Sequence, residues 1–247
     1  MTLSDLYQYI DHTNLSPTAT VDDINQLHQE ALQCGCPAIC IPPAYVAHAH
    51  WLNIQATSKH QLIADVPLSD NVLSRLPAIC TVIGFPLGYD TTETKVSAAK
   101  SAIADGATEI DVVINLGAVK SGNWTAIQDE LDLLRKITAD HILKVIIETC
   151  YLDTAEIIEL CRIVSEIGAD YIKTSTGFGT AGAQLEHILL FKEHCAPEVK
   201  IKAAGGIRTV EDIQAFVQAG CDRIGSSSGL LAIRKAIQTT ASLGGCL

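Results

Sequence analysis

Gly35-Cys36-Pro37-Ala38-Ile39, Gly106-Ala107-Thr108-Glu109-Ile110, Gly168-Ala169-Asp170-Tyr171-Ile172 and Gly220-Cys221-Asp222-Arg223-Ile224 are four copies of one pattern. Each reads Gly, then Ala or Cys, two residues, then Ile. A helix-like stretch precedes each copy, over 22–33, 93–105, 154–167 and 210–219. A short apolar run follows. Glycine just past a helix supplies the left-handed cap that other residues resist. A β-branched run after it suits a strand buried on both faces. Each copy therefore reads as a helix end, a tight loop and a strand. Gly and Ala are common enough for one copy to arise by chance, but four in matching contexts argue against it.

Other stretches have strand composition without the joint. Together they predict eight strands: 10–13, 37–41, 79–84, 109–115, 142–148, 170–174, 199–204 and 222–226. Helical segments fall between most of them. Alternating β and α elements imply an α/β protein with a parallel sheet, and eight units point to a closed (β/α)8 TIM barrel. The length of 247 residues suits a single such domain over 1–247. An open doubly wound sheet is the structural alternative. It is weakened because no Gly-x-Gly-x-x-Gly follows the first strand. No Pro/Gly/Ser-rich linker divides the chain. Residues 52–77 are the least regular and read as part of a helical connection plus an extended loop. The tail, 242–247, reads as frayed.

Apolar residues make up 48% and charged residues 18%, which excludes a disordered chain. A net charge of −11 and a pI near 5.1 exclude nucleic acid as a partner bound through a general basic surface. A local cationic pocket for a small anion stays open. No apolar run approaches the ~18 residues of a membrane span, so no membrane partner is expected. Residues 1–10 have no basic region, so a cytoplasmic location is expected. The nine cysteines are scattered, with no Cys-x-x-Cys pair and no His-Glu-x-x-His motif. Most are expected to be small buried hydrophobes in a reducing compartment, with no metal. His48 and His50, two apart, fall on different faces of a helix.

In a barrel, chemistry gathers at the carboxyl ends of the strands. Asp11 closes the first strand, Asp111 lies in the fourth, and Lys144 and Glu148 flank the fifth. Lys173 ends the sixth. Lys200 and Lys202 share one face of the seventh, and Lys202, nearer the carboxyl end, is the functional candidate. Buried charges are costly unless paired. A lysine amine freed of its proton by desolvation or a neighbouring cation can attack a carbonyl to form a Schiff base. Lys173 and Lys202 end adjacent strands and suit that chemistry, with Asp111 as a proton relay. The competing reading is a buried salt-bridge network that only orders the barrel. Two glycine-rich loops follow the last two strands, Gly205-Gly206-Ile207-Arg208 and Gly225-Ser226-Ser227-Ser228-Gly229. Backbone N–H groups in such loops bind phosphate. Either loop alone could be a mere tight turn. Both together favour a phosphorylated ligand.

These residues carry a resemblance. Ile10-Asp11-His12-Thr13, Val82-Ile83-Gly84-Phe85-Pro86-Leu87-Gly88, Glu109-Ile110-Asp111-Val112-Val113-Ile114-Asn115 and Lys144-Val145-Ile146-Ile147-Glu148-Thr149 resemble segments of the deoxyribose-phosphate aldolase family. So do Gly168-Ala169-Asp170-Tyr171-Ile172-Lys173-Thr174-Ser175-Thr176-Gly177-Phe178, then Lys202-Ala203-Ala204-Gly205-Gly206-Ile207-Arg208-Thr209 and Arg223-Ile224-Gly225-Ser226-Ser227-Ser228-Gly229. They run in family order from residue 10 to 229. The resemblance implies a class I aldolase barrel that needs no metal or cofactor. It would reversibly cleave 2-deoxy-D-ribose 5-phosphate to D-glyceraldehyde 3-phosphate and acetaldehyde, a step of deoxyribose phosphate catabolism. By that analogy Lys173 forms the Schiff base, Lys202 lowers its pKa, and Asp111 relays protons. Asp11 and Lys144 sit in the surrounding charge network. Gly177, Gly205, Gly206, Gly225, Ser227 and Ser228 surround the phosphate, and a homodimer is the expected assembly.

The chain departs from the family pattern at Pro42, at Phe178 where some relatives carry a lysine, in the longer 52–77 stretch, and in a tail without a terminal tyrosine. These bear on rate and phosphate affinity more than on reaction class. Three rivals remain at this stage: a keto-acid aldolase, a phosphate-binding isomerase without an imine, and a catalytically silent barrel.

Overall fold

The four joint glycines adopt the left-handed backbone that the pattern requires, with φ of 68° at Gly35, 105° at Gly106, 67° at Gly168 and 111° at Gly220. The computed structural model describes residues 1–63 and 76–244. Its strands are β1 (Ile10–Thr13), β2 (Ala38–Ile41), β3 (Ala78–Ile83), β4 (Glu109–Val113), β5 (Ile142–Ile146), β6 (Tyr171–Lys173), β7 (Lys200–Ala204) and β8 (Arg223–Ser226). They close into a barrel in sequence order. Neighbours are parallel throughout, and β1 pairs with β8 to complete the ring. That is the (β/α)8 architecture. The described helices are α1 (Val21–Cys34), α2 (Val46–Ile63), α3 (Thr92–Ala104), α4 (Leu116–Lys120), α5 (Trp124–Ile137), α6 (Thr154–Glu166), α7 (Leu185–His194), α8 (Val210–Ala219) and α9 (Gly229–Gly244).

Strand side chains alternate between the interior of the barrel and the helix layer. Ile39, Ile79, Ile110, Val112, Leu143, Val145, Ile172, Ile201 and Ile224 belong to the core shared with the helices. Ala38, Cys40, Cys80 and Val82 form a separate cluster of the opposite parity, inside the barrel. Capping boxes fix three helix starts, Thr20 with Asp23, Asp153 with Glu156 and Thr209 with Asp212. Such caps contribute about 1 kcal/mol each. They set the angle at which each helix returns along the barrel.

Two strands end two residues earlier than their composition suggests, and β3 and β6 one residue earlier. The 109–115 run stops at Val113 because Asn115 caps α4, its side chain accepting from Ala118 N at 3.1 Å. The 142–148 run stops at Ile146, and Glu148 turns to φ 52°. Of the 52–77 stretch, 52–63 is helical, and 64–75 lies outside the described residues, as do 245–247. The helix α9 continues to Gly244, where fraying was expected from residue 242. His48 and His50 do face apart: His48 Nε2 lies 2.8 Å from Asn25 Oδ1, whereas the His50 ring packs against Gly106. No helix among the described residues is long and apolar enough to cross a membrane.

Candidate active site

Beside the small apolar cluster of β2 and β3, the barrel interior is ionic. Alternation along β4 turns Glu109 and Asp111 inward, and β1, β5, β6, β7 and β8 add Asp11, Lys144, Lys173, Lys202 and Arg223. Asp111 is the hub. Its Oδ2 lies 2.7 Å from Lys173 Nζ and 2.8 Å from Lys202 Nζ, and its Oδ1 lies 2.8 Å from Lys144 Nζ. Register explains the meeting: Lys173 pairs with Lys202 across β6 and β7, and Asp111 pairs with Lys144 across β4 and β5. Asp11 takes Lys202 at 2.5 Å and Arg223 at 2.6 Å. Glu109 takes Lys144 at 2.6 Å. Cys80 Sγ donates to Asp111 Oδ1 at 3.1 Å and receives Lys144 Nζ at 3.2 Å.

Burial alone would raise the Asp111 carboxyl, but the ammoniums of Lys144, Lys173 and Lys202 outweigh it and hold the group well below the usual carboxylate range. Asp11 behaves the same way: burial opposes, while Lys202, Lys144 and Arg223 prevail and lower it. Burial disfavours the Lys202 ammonium, yet Asp11 and Asp111 raise its pKa. Lys144 is likewise opposed by burial and raised by Asp111, Cys80 and Glu109. These groups stay charged, and Arg223 is charged at any ordinary pH.

Lys144, Lys173, Lys202 and Arg223 face Asp11, Glu109 and Asp111, and the buried Glu148 carboxylate also acts on Lys173. Lys173 is the cation whose ion pairing among the described residues rests on Asp111 alone. It is thus the lysine of the network with the fewest carboxylate contacts, and an amine acts as a nucleophile through its lone pair.

Lys173 also opens onto space. A cavity of about 310 Å³ at the carboxyl ends of the strands is lined by Lys173 and by all six residues expected at a phosphate, Gly177, Gly205, Gly206, Gly225, Ser227 and Ser228. Gly205 and Gly206 have φ of 86° and 79°, which suits glycine. The six do not serve alike. A Cβ at Gly225 would meet Lys202 Cε at 3.3 Å, so this glycine makes room for the lysine stem. Ser226 pins the last loop: its Oγ donates to Ile207 O at 2.7 Å and accepts from Gly229 N at 2.9 Å, at the start of α9. Arg208 adds a guanidinium to the lining, and Phe178 an apolar wall set edge-on to Phe85 at 5.4 Å.

The structure thus brings Asp11, Asp111, Lys144, Lys173 and Lys202 into one contact network. Lys200, on the same face as Lys202, lies exposed at the opposite end of β7. Three members were not singled out from the sequence. Glu109 and Arg223 carried a readable signal, being charged residues inside apolar strands. Cys80 did not, because an isolated cysteine in a buried strand reads as a hydrophobe. The other seven described cysteines match that reading in part: all are free, with Cys36, Cys40, Cys161 and Cys221 buried and Cys34, Cys150 and Cys195 partly so. Cys40, Cys80 and Asp111 place potential ligand atoms within 4.8 Å of one another, as do Asp11, Cys80 and Glu109. Lysine ammoniums already contact these carboxylates, so cationic charge is supplied there by the protein.

Comparison with known proteins agrees. Residues 6–239 match the family model described as DeoC/LacD family aldolase. A deoxyribose-phosphate aldolase of Clostridium botulinum (strain Eklund 17B / Type B) is 47% identical over 227 residues, 92% of this chain and 94% of that one. One from Thermococcus gammatolerans is 44% identical over 92% of this chain and 94% of its own. A solved structure described as "QR15, an Aldolase" superposes with a TM-score of 0.82 at 36% identity, covering 97% of this chain and 99% of that chain. The deoxyribose phosphate aldolase from Aeropyrum pernix, described as having a unique tetrameric structure, gives 0.80 at 30% identity, over 96% and 93%. With the barrel, the lysine pair and the glycine loops in one place, these matches show that the chain belongs to the DeoC/LacD family of aldolases.

Proposed function

We propose that this chain reversibly cleaves 2-deoxy-D-ribose 5-phosphate to D-glyceraldehyde 3-phosphate and acetaldehyde through an imine on Lys173. One observation carries the proposal: a lysine bound to a buried, ionised carboxylate borders a cavity whose far wall is two glycine-rich turns and a helix N-terminus.

Cleavage starts from the open-chain sugar. The Lys173 amine adds to C1, and the carbinolamine loses water to give the iminium. The C3 hydroxyl loses its proton to the network, the C2–C3 bond breaks, and its electron pair moves into the iminium to form an enamine. Glyceraldehyde 3-phosphate leaves. The proton returns to C2, and water hydrolyses the iminium to release acetaldehyde and the free amine. Asp111, which touches both lysines, is the group suited to relay that proton, and Lys202 keeps it ionised between turnovers. Backbone N–H groups around Gly177, Gly205, Gly206, Gly225, Ser227 and Ser228, with the α9 dipole, suit the phosphate.

The reading takes the whole chain as one barrel domain, self-associating, in the cytoplasm. Free thiols beside a reactive lysine suit a reducing compartment, and light scattering tests the assembly. The test of function is cleavage of deoxyribose 5-phosphate coupled to detection of glyceraldehyde 3-phosphate, together with borohydride trapping of acetaldehyde on the protein. Absence of both the product and the trapped adduct would sink the proposal.

A further inference from the structure

The seam between β5 and β6 is irregular at one residue beside the reactive lysine. Ile147 N donates to Lys173 O at 3.1 Å, and Thr149 N donates to Thr174 O at 2.9 Å. A regular parallel ladder sends donors two apart to acceptors two apart. Here consecutive carbonyls accept, so Glu148 is an extra residue, a bulge. Its φ of 52° is the one positive value at a non-glycine residue among those described. Such a conformation persists only where the surroundings hold it.

The side chain supplies that hold. Both Glu148 carboxylate oxygens accept from Thr176 N, each at 3.2 Å, and Oε2 also accepts from Thr176 Oγ1. Thr176 Oγ1 in turn accepts from Phe178 N at 3.0 Å. The carboxylate is buried, and Gly179 leaves room for it and for Cys150: a Cβ there would lie 2.7 Å from Cys150 Sγ and 3.2 Å from Glu148 Oε1. Gly179 has no positive φ, so its missing side chain serves space rather than backbone conformation. Thr174 is anchored to the sheet independently, its Oγ1 donating to Ala204 O at 3.2 Å and accepting from Ala204 N at 3.1 Å. Beyond Thr174 the chain leaves the sheet, and the Glu148 carboxylate holds it at Thr176. The backbone of Glu148 thus sits against Lys173 while its side chain holds the residue before Gly177.

We propose that Glu148 is a positioning residue that fixes the span from Lys173 to Gly177, and so sets the separation between the imine and the phosphate turn. The inference rests on the roles proposed above for Lys173 and Gly177. A sugar phosphate held at both ends has a fixed distance between its carbonyl carbon and its phosphorus. Unphosphorylated deoxyribose is held at the lysine alone and does not sense that distance. Loosening the clamp should therefore penalise the two substrates unequally.

The experiment measures kcat and KM for both sugars with wild type, Glu148→Gln, Glu148→Gly and Gly179→Ala, alongside thermal unfolding and acetaldehyde–borohydride labelling. Glu148→Gly accepts the left-handed backbone but has no carboxylate. Gly179→Ala leaves every charge in place and crowds both Cys150 Sγ and the carboxylate, so it carries the test if a Glu148 variant fails to fold. A misplacement of ~1 Å costs about 100-fold. The expected result is a loss of that order in kcat/KM for deoxyribose 5-phosphate, a loss at least about ten times smaller for deoxyribose, and continued labelling of Lys173. Glu148→Gly should share the selective loss while melting no lower than Glu148→Gln. Equal losses for both sugars, or wild-type selectivity in Glu148→Gly, would overturn the inference. An unlabelled, inactive wild type would instead remove the underlying reading of Lys173.

Discussion

Replacing Asp111 by Asn separates the catalytic from the purely structural account of the ionic interior. The substitution leaves four cationic side chains facing two carboxylates. Lys202 keeps Asp11 at 2.5 Å and Lys144 keeps Glu109 at 2.6 Å, so the loss falls mainly on Lys173. Removing one partner of a buried ion pair usually costs 3–5 kcal/mol; the Asn oxygen still accepts a hydrogen bond, so about 2–4 kcal/mol is expected here. For a chain of this size that is a fall in Tm of roughly 5–15 °C, and the barrel stays folded at 25 °C. Loss of the proton relay should lower cleavage by about 10²–10⁴-fold. Imine formation needs only the Lys173 amine, so acetaldehyde–borohydride labelling should persist. Labelling by mass spectrometry, cleavage by coupled assay and calorimetry on one preparation decide the matter. Cleavage reduced by less than about tenfold would refute the relay. Labelling lost together with the fold would leave the salt-bridge network as the only role the residue has.

Lys173→Ala should abolish both labelling and cleavage, and peptide mapping of wild type should place the added two-carbon unit on Lys173; a label on Lys202 would reverse the two roles. Gly206→Ala should raise KM for deoxyribose 5-phosphate more than for deoxyribose, because no atom lies within 4 Å of the new Cβ and the cost comes from φ 79° alone. That cost is about 1–2 kcal/mol, and equal effects on both sugars would count against phosphate contact. Stability should also follow pH in a defined way. Asp11 and Asp111 are depressed on folding, so their contribution is present above the unfolded value near 3.9 and is lost as pH falls below it. Lys144 and Lys202 are raised, so theirs is present below about 10.4 and is lost as pH climbs through the folded values. Calorimetry across pH should show Tm falling at both extremes, with a shallower acid limb in Asp111→Asn; an unchanged acid limb would contradict the linkage.

The barrel was legible because its signals are local. A glycine after a helix must turn left-handed whatever surrounds it, and Gly35, Gly106, Gly168 and Gly220 do so. Strand starts followed, to within a residue or so. Strand ends were less legible because they depend on partners elsewhere in the chain. Asn115 leaves β4 to cap α4, and Glu148 leaves β5 because Thr176, 28 residues on, claims its carboxylate. The lysines and Asp111 could be picked out as charges in apolar strands. Their common oxygen could not, since it follows from the stagger of a closed sheet. Cys80 was missed because nothing in Ile79-Cys80-Thr81 distinguishes a thiol aimed at Asp111 from one packed against Ile39.

The two layers of the barrel wall respond oppositely to heat. Between strands and helices the packing is hydrocarbon, Ile110, Val112, Val145 and Ile172 among it, and its contribution per unit area levels off as temperature rises. Inside the ring, beside Ala38, Cys40, Cys80 and Val82, the filling is ionic, and its main cost is the hydration surrendered by each charge. That hydration becomes less favourable on warming, so the cost shrinks. Heating thus narrows the gap between the two layers, the ionic centre becoming less costly to keep buried while the hydrocarbon jacket adds no more than before.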